Sequence, residues 1–120
     1  MARARPPLRP KSCAIFIRRA KQAGFFIRLF FVCTESPMIN AARIAGRVMK
    51  GGHDVPIAKI ISRYQKSIIN CKVAASIADR VYIYDNSVDG QEARILFRFA
   101  DGTIIKRYTD VIPMWAQVLM

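Results

Sequence analysis

Metal-ligating and redox side chains are scarce in this 120-residue chain, which has three cysteines and one histidine. Cys13, Cys33 and Cys71 lie far apart, form no C-x-x-C pair and have only His53 as an imidazole partner. This scarcity argues against a structural zinc site. It predicts three reduced thiols in a cytosolic protein, with Cys33 inside an apolar run as an inert core residue.

Acidic side chains are also few, with 8 Asp and Glu against 20 Lys and Arg and a formal net charge of +12. No acid precedes Glu35. Such an excess favours anionic partners, either nucleotides or nucleic acid, or an anionic membrane surface. The most apolar window, 24–33, is too short to span a bilayer and contains Arg28, so we expect no membrane partner.

The chain contains no Gly-x-x-x-x-Gly-Lys-Ser/Thr, which excludes a phosphate-binding loop of that type within it. Its length predicts one domain, and a hydrophobic content of 52% argues against wholesale disorder. The apolar run 25–33 predicts a strand that is buried on both faces of a parallel sheet. Helices are predicted over 12–23, 37–50 and 56–69, and a weak break at Asn70 separates the last of these from a short helix that ends near Asp79. A second buried strand is predicted over 81–84. The C-terminal part is predicted to form a hairpin of 94–99 with 103–108, with Ile95, Phe97 and Phe99 on one face, and then a short helix around Trp115.

The segment Gly51-Gly52-His53-Asp54-Val55-Pro56 links two predicted helices that both carry basic side chains. The glycine pair is typical of a helix end, with Asp54 as a cap and Pro56 in the first turn of the next helix. This pattern predicts a cationic helical hairpin, which suits a polyanion such as a nucleoside triphosphate. The alternation of helices and strands predicts an α/β fold, and two parallel-type strands make an incomplete sheet.

Several segments together resemble the zeta-toxin-like P-loop kinases, also called predicted ABC-type ATPases. The similarity covers roughly 14–110, leaves 1–13 as a basic, irregular tail unlike the family, and leaves 111–120 as a short helix or tail. The segments are Phe30-Phe31-Val32-Cys33-Thr34-Glu35-Ser36-Pro37, Arg43-Ile44-Ala45-x-Arg47-Val48, Gly51-Gly52-His53-Asp54-Val55-Pro56, Arg63-Tyr64-x-x-Ser67, Ala78-Asp79-Arg80 and Tyr84-Asp85-Asn86-Ser87.

The resemblance implies a three-layer P-loop fold with parallel strands, a helical-hairpin lid and a C-terminal β-hairpin. It implies ATP with Mg²⁺ as cofactor and phosphoryl transfer to a UDP-amino-sugar or a similar small molecule. The family's Walker A half does not precede Ala14, so we expect a truncated or frame-shifted product that is inactive alone. A separately encoded N-terminal half or an antitoxin is the implied protein partner.

By resemblance, Arg47 and Arg63 are the catalytic residues, which would contact the transferring phosphoryl group. The alternative is that Arg47 and Arg63 are ordinary solvent-exposed residues of a helix surface without a function. The same alternative applies to Arg43, Lys59 and Lys66. His53 has two interpretations, as a nucleotide contact or as a structural residue of its turn. The expected nucleotide-binding residues are Arg43, Gly51, Gly52, His53, Asp85 and Asn86, of which the last two are alternatively a plain strand-to-loop turn.

Two other functions compete with the kinase interpretation. One is a basic module that binds RNA or DNA through its cationic helices and tail, although Tyr64 is the only aromatic residue on those helices for base stacking. The other is an interaction role, in which an exposed sheet edge pairs with a separately encoded N-terminal half.

Overall fold

The computed structural model describes residues 10–120, which form four helices and four strands. Most of the predicted irregular tail 1–13 lies outside these residues, and its last part is not irregular, because the first helix begins at Pro10. The helices and strands follow one another in an α/β order. They are α1 (Pro10–Gln22), β1 (Arg28–Cys33), α2 (Pro37–Met49), α3 (Ile57–Ile77), β2 (Arg80–Asp85), β3 (Arg94–Ala100), β4 (Thr103–Arg107) and α4 (Met114–Gln117). No helix in this range is both long and apolar enough to cross a membrane.

The strands form one mixed sheet in the order β1-β2-β3-β4. β1 pairs with β2 in parallel, with Leu29 opposite Val81 and Phe31 opposite Ile83. The two remaining pairings are antiparallel, and a tight turn at Asp101 joins β3 to β4. The predicted α/β class and C-terminal hairpin are therefore confirmed.

The hydrophobic core lies between one face of this sheet and the helices α3 and α4. Val81, Ile83, Leu96 and Phe97 are fully buried there. α3 contributes Ile68, Cys71 and Ala75, and α4 contributes Trp115 and Ala116. Alternation along β1 directs Leu29, Phe31 and Cys33 towards the same core.

The expectation that β1 is buried on both faces is wrong. Phe30 is 58% exposed and Val32 is 51% exposed, because they point away from the core and nothing within residues 10–120 covers them. β1 is also an edge strand, with β2 as its one neighbour in the described sheet. A run of apolar residues predicts a strand, but the run alone does not fix how many layers cover it.

The predicted helix break at Asn70 is also wrong, since α3 continues from Ile57 to Ile77. Its buried stripe crosses that position at Ile68, Cys71 and Ala74. Asn disfavours a helix interior only weakly, and the burial of this stripe outweighs that preference.

In the C-terminal hairpin, β3 departs from regular alternation through a bulge. Ile95 pairs with Tyr84 and Phe97 pairs with Ile83, so Leu96 is the extra residue on β3. Ile95 therefore does not share a buried face with Phe97 and Phe99 as predicted. Leu96 is buried instead.

α1 is held to the rest of the fold at Asp79, which follows α3. The backbone N–H of Ile27 donates to Asp79 Oδ2 at 2.7 Å, and Lys21 Nζ lies 3.5 Å from Oδ1. The Ile27 hydrogen bond, aided by the Lys21 charge, lowers the pKa of the Asp79 carboxyl below its usual value. Ile27 also accepts hydrogen bonds from the backbone N–H groups of Asp79 and Arg80, which fixes the entry into β1 beside β2.

When the native protein reacts with a thiol reagent at pH 8, we expect one cysteine to react rapidly and two to react slowly. Cys13 is exposed, whereas Cys33 and Cys71 are buried. Burial raises the pKa of the Cys33 thiol and raises the pKa of Cys71 to about 12, so both stay protonated and unreactive. Cys13→Ser should abolish the fast phase, and denaturant should release two thiols in that variant. A fast phase that persists in Cys13→Ser would show that the core is open.

Candidate phosphate-binding cleft

The hairpin between α2 and α3 begins with a capped helix. Ser36 is the N-cap of α2, and its Oγ accepts from the backbone N–H of Met38 at 3.1 Å, as predicted. At the other end, Gly51 has a φ of +94°, a left-handed conformation that favours glycine. The backbone N–H of Gly52 donates to the Arg47 carbonyl at 2.7 Å.

Gly52 approaches the end of α2 very closely. A Cβ at this position would lie 2.9 Å from the Arg47 carbonyl oxygen and 3.1 Å from its carbon. The prediction that the glycine pair ends α2 is therefore confirmed, and glycine is required at the two positions for different structural reasons. Gly51 supplies the backbone conformation, and Gly52 supplies the space.

The predicted capping role of Asp54 is wrong. Asp54 Oδ1 accepts from the adjacent backbone N–H of Val55 at 2.8 Å. α3 begins at Ile57, with Pro56 as its N-cap and no side-chain capping bond. Asp54 precedes the cap by two residues, so its carboxyl group bonds within the loop. The positive end of the 21-residue helix α3 is left without an anionic cap.

A cleft of about 280 Å³ lies between α2, the 51–56 turn and the first turns of α3. Both polar and apolar side chains form its wall. They are Asn40, Ile44, Val55, Ile60, Arg63, Tyr64 and Ser67. The part of the wall that α3 contributes begins at Ile60, about one turn into the helix.

Hydrogen bonds fix the deeper wall of the cleft. Tyr64 OH donates to the Thr34 carbonyl at 2.7 Å, and Ser67 Oγ donates to the Tyr64 carbonyl at 2.8 Å. Thr34 Oγ1 donates to Asn40 Oδ1 at 2.9 Å. Burial raises the pKa of the Tyr64 hydroxyl to about 12, so it acts as a neutral donor. The arrangement joins the cleft to the carboxyl end of β1.

The helical hairpin is strongly cationic. Residues 36–78 contain seven Lys and Arg and a single acid, Asp54. No carboxylate belongs to the cleft wall, whereas Arg63 does. The N-terminus of α3 has no side-chain cap and lies about one turn before this wall, so it adds positive potential near Arg63. This electrostatic pattern suits phosphate.

The structure brings only part of the predicted site to this cleft. Arg63 lines it, while Arg47 is exposed at the C-terminal end of α2. Arg43 faces elsewhere, because its Nε donates to Asp89 at 2.9 Å and its NH2 donates to the Asn86 carbonyl at 2.7 Å. Arg43 thus braces α2 against the loop that follows β2.

The other predicted nucleotide-binding residues do not line the cleft. Gly51, Gly52 and His53 are exposed in the turn at its mouth. Asp85 is only 3% exposed and accepts from Trp115 Nε1 at 2.8 Å and from the Ser87 backbone at 2.9 Å. The Asn86 backbone donates to the Cys33 carbonyl at 2.8 Å. Asp85 and Asn86 are therefore engaged in holding the sheet and its loops together.

Sequence reasoning missed Asn40, Ile44 and Val55 as cleft residues. Asn40 and Ile44 are four residues apart on α2 and therefore lie on the same face of that helix. This spacing indicates that both residues line the cleft once the direction of α3 is known. Across residues 10–120, no three His, Cys, Asp or Glu side chains are grouped to hold a metal ion.

Comparisons of the chain with known protein families, with curated proteins and with solved structures each give no match.

Proposed function

We propose that the α2–α3 cleft binds the phosphate chain of a nucleoside triphosphate, as the lid of a zeta-toxin-like ATP-dependent kinase. The main support for this proposal is that Arg63 lines the wall of a cleft that contains no carboxylate. The resemblance at Arg43 to Pro56 and at Arg63 to Ser67 supports ATP as the nucleotide. A UDP-amino-sugar or a similar small molecule is the acceptor that the resemblance suggests.

The cleft fits the phosphates better than it fits their metal. Arg63 supplies donors and positive charge for phosphate oxygens, and the nearby N-terminus of α3 adds positive potential. Mg²⁺ prefers oxygen ligands, and the cleft wall offers it no carboxylate. The chain also contains no Walker A sequence, whose backbone and lysine supply most phosphate contacts in this class. The proposal therefore requires a Walker A segment from elsewhere.

The edge of the sheet offers a place for such a segment. β1 has β2 as its single neighbour within residues 10–120, so the other side of its backbone is free to pair. A separately encoded N-terminal half that adds a strand here would stand next to the carboxyl end of β1. Ligands in open α/β sheets gather at that end of the strands. An antitoxin partner stays a prediction from the resemblance alone.

Magnesium-ATP is expected to bind this chain only weakly, with a dissociation constant on the order of 1 mM, because an arginine and a helix end replace a full phosphate cradle. Titration of the ¹⁵N-labelled chain should shift the amide signals of Val55, Ile60 and Arg63. Arg63→Ala should remove these shifts, and Lys66→Ala, one turn away, should leave them in place. Micromolar binding would show that the chain holds a complete site, and shifts confined to other surfaces would refute the cleft.

A further inference from the structure

The sheet face opposite the core carries aromatic and cationic side chains in alternating strand positions. We call it the open face and define it by six side chains on three neighbouring strands. They are Arg28 and Phe30 on β1, Arg80, Tyr82 and Tyr84 on β2, and Arg98 on β3. Arg28 pairs with Arg80, and Phe30 pairs with Tyr82, which in turn pairs with Arg98. The helices that form the core and the cleft cover the other side.

The aromatic residues of the open face form a short stack. The Phe30 and Tyr82 rings are stacked, with centroids 4.8 Å apart and planes 10° from parallel. Tyr84 lies two residues beyond Tyr82 on β2, and its ring is tilted by 35° from that of Phe30, with the centroids 6.4 Å apart. Phe30 keeps 58% of its surface exposed because β1 is the edge strand of the described sheet. A flat aromatic group can extend this stack on the exposed side of Phe30.

Two cations of the open face lie against the ring of Phe26, which precedes β1. The guanidinium carbons of Arg28 and Arg80 lie 5.7 Å and 5.3 Å from the centroid of the Phe26 ring. Arg98 Nε is buried without a hydrogen-bond partner among the described residues. Asp101 is the nearby carboxylate, 3.5 Å from Arg80, and it is largely solvated in the β3–β4 turn. Positive charge therefore dominates the face.

We propose that the open face binds single-stranded nucleic acid, with bases stacked on Phe30 and Tyr84 and phosphates held by Arg28 and Arg80. Flat bases continue an aromatic stack without sequence preference, and guanidinium groups pair with the backbone between them. A second copy of this chain is a poor occupant, because its net charge of +12 would repel the first. An apolar helix is also a poor occupant, because it would bury three arginines without partners.

This site differs from the phosphate-binding cleft in position and in chemistry. The cleft lies among α2 and α3 and contains Arg63, whereas the open face lies on the uncovered side of β1 and β2. Stacking on the open face requires unpaired bases, because a duplex keeps its base faces buried. The face should therefore prefer single strands to duplexes, which a diffuse cationic surface would not do.

The test is fluorescence anisotropy with a labelled oligouridine of roughly 12 nucleotides and with a duplex of equal length. Phe30→Ala should weaken single-strand binding about tenfold, the effect expected when one stacked base is lost. Phe16→Ala removes a phenylalanine of α1 that is even more exposed, at 69% against 58% for Phe30, and should leave binding unchanged. Arg28→Gln should weaken binding and reduce its salt dependence, whereas Arg19→Gln, which removes an exposed arginine from α1, should change affinity by less than about twofold.

Ultraviolet cross-linking of the wild-type chain to the same oligouridine provides a readout that does not depend on the folding of any variant. Cross-linked peptides should contain Phe30 or Tyr84. The proposal is overturned if cross-links map only to α2 and α3, if duplex binds as tightly as single strand, or if Phe30→Ala and Phe16→Ala behave alike. Sedimentation as a dimer that Phe30→Ala dissociates would assign the face to a second copy instead.

Discussion

Trp115→Ala is expected to lower the free energy of unfolding by about 3–5 kcal/mol, which is the usual cost of removing a large buried aromatic side chain. Trp115 is only 7% exposed and packs against Phe31, with ring centroids 6.0 Å apart. Its loss would leave a cavity in the core where α4 meets the sheet. A domain of this size has a total stability of roughly 5–15 kcal/mol, so the variant should lose a large fraction of it and unfold at a clearly lower urea concentration.

Part of this effect comes from a single buried hydrogen bond. Trp115 Nε1 donates to Asp85 Oδ2 at 2.8 Å, and Asp85 is 3% exposed. Trp115→Phe keeps most of the ring volume and removes the donor, whereas Asp85→Ala removes the acceptor. Urea denaturation of both variants and of the double variant should give a coupling energy of about 1.5–3 kcal/mol, as for a hydrogen bond to a charged group.

Asp89→Ala is the matched control, because Asp89 also pairs with a donor but its side chain is 84% exposed. Its cost should stay within about 1 kcal/mol, since solvent screens the pair with Arg43. A coupling energy near zero between Trp115 and Asp85 would mean that the hydrogen bond contributes nothing. Equal costs for Asp85→Ala and Asp89→Ala would contradict the burial of Asp85.

The elements of this fold follow from local sequence where one short signal decides the outcome. Ser36 before Pro37 marks the start of α2, and Gly51 marks its end, because each satisfies backbone groups within a few residues. The predicted helix break at Asn70 was wrong because the outcome there does not depend on local sequence. Whether a helix continues past a weak residue depends on the surface that it packs against, and that surface is formed by strands distant in sequence.

The C-terminal segment 111–120 illustrates the same limit. Its sequence predicts a short helix around Trp115, which is confirmed as α4. The sequence does not show that Trp115, Ala116 and Leu119 complete the core, because their partners lie on β1 and β2. The segment belongs to the same packed unit as the strands rather than forming a tail outside it.

The candidate site was only partly predictable. The charge of the hairpin and the positions of its helices are visible in the sequence, and both place Arg63 near a turn that suits a polyanion. Long-range contacts decide the rest. Arg43 and Arg47 are four apart on one face of α2, yet Arg43 bonds to Asp89 and Asn86 in a loop that lies more than forty residues away. No helical pattern predicts such a contact.

On the proposed kinase function, Arg63→Ala is expected to reduce ATP-dependent turnover by a factor equivalent to about 2–4 kcal/mol, once a Walker A-bearing segment is supplied in trans. Arg63 lines the cleft, and its fork of donors fits phosphate oxygens in a way that a lysine ammonium does not. Turnover should fall more than nucleotide affinity, because the charge that Arg63 opposes grows in the transition state. Steady-state kinetics with a coupled ADP assay would measure both quantities.

Arg47→Ala is expected to show the same loss of turnover, although Arg47 is exposed at the end of α2. Arg47 is not part of the cleft wall, so an effect of this variant would indicate that the hairpin closes over the bound triphosphate. Lys59→Ala and Lys66→Ala are the matched controls, since both remove one exposed charge from α3. If the lysine variants lose as much turnover as the arginine variants, the hairpin acts through its overall charge. If Arg63→Ala alone loses turnover, the cleft is correct and the closing motion is wrong.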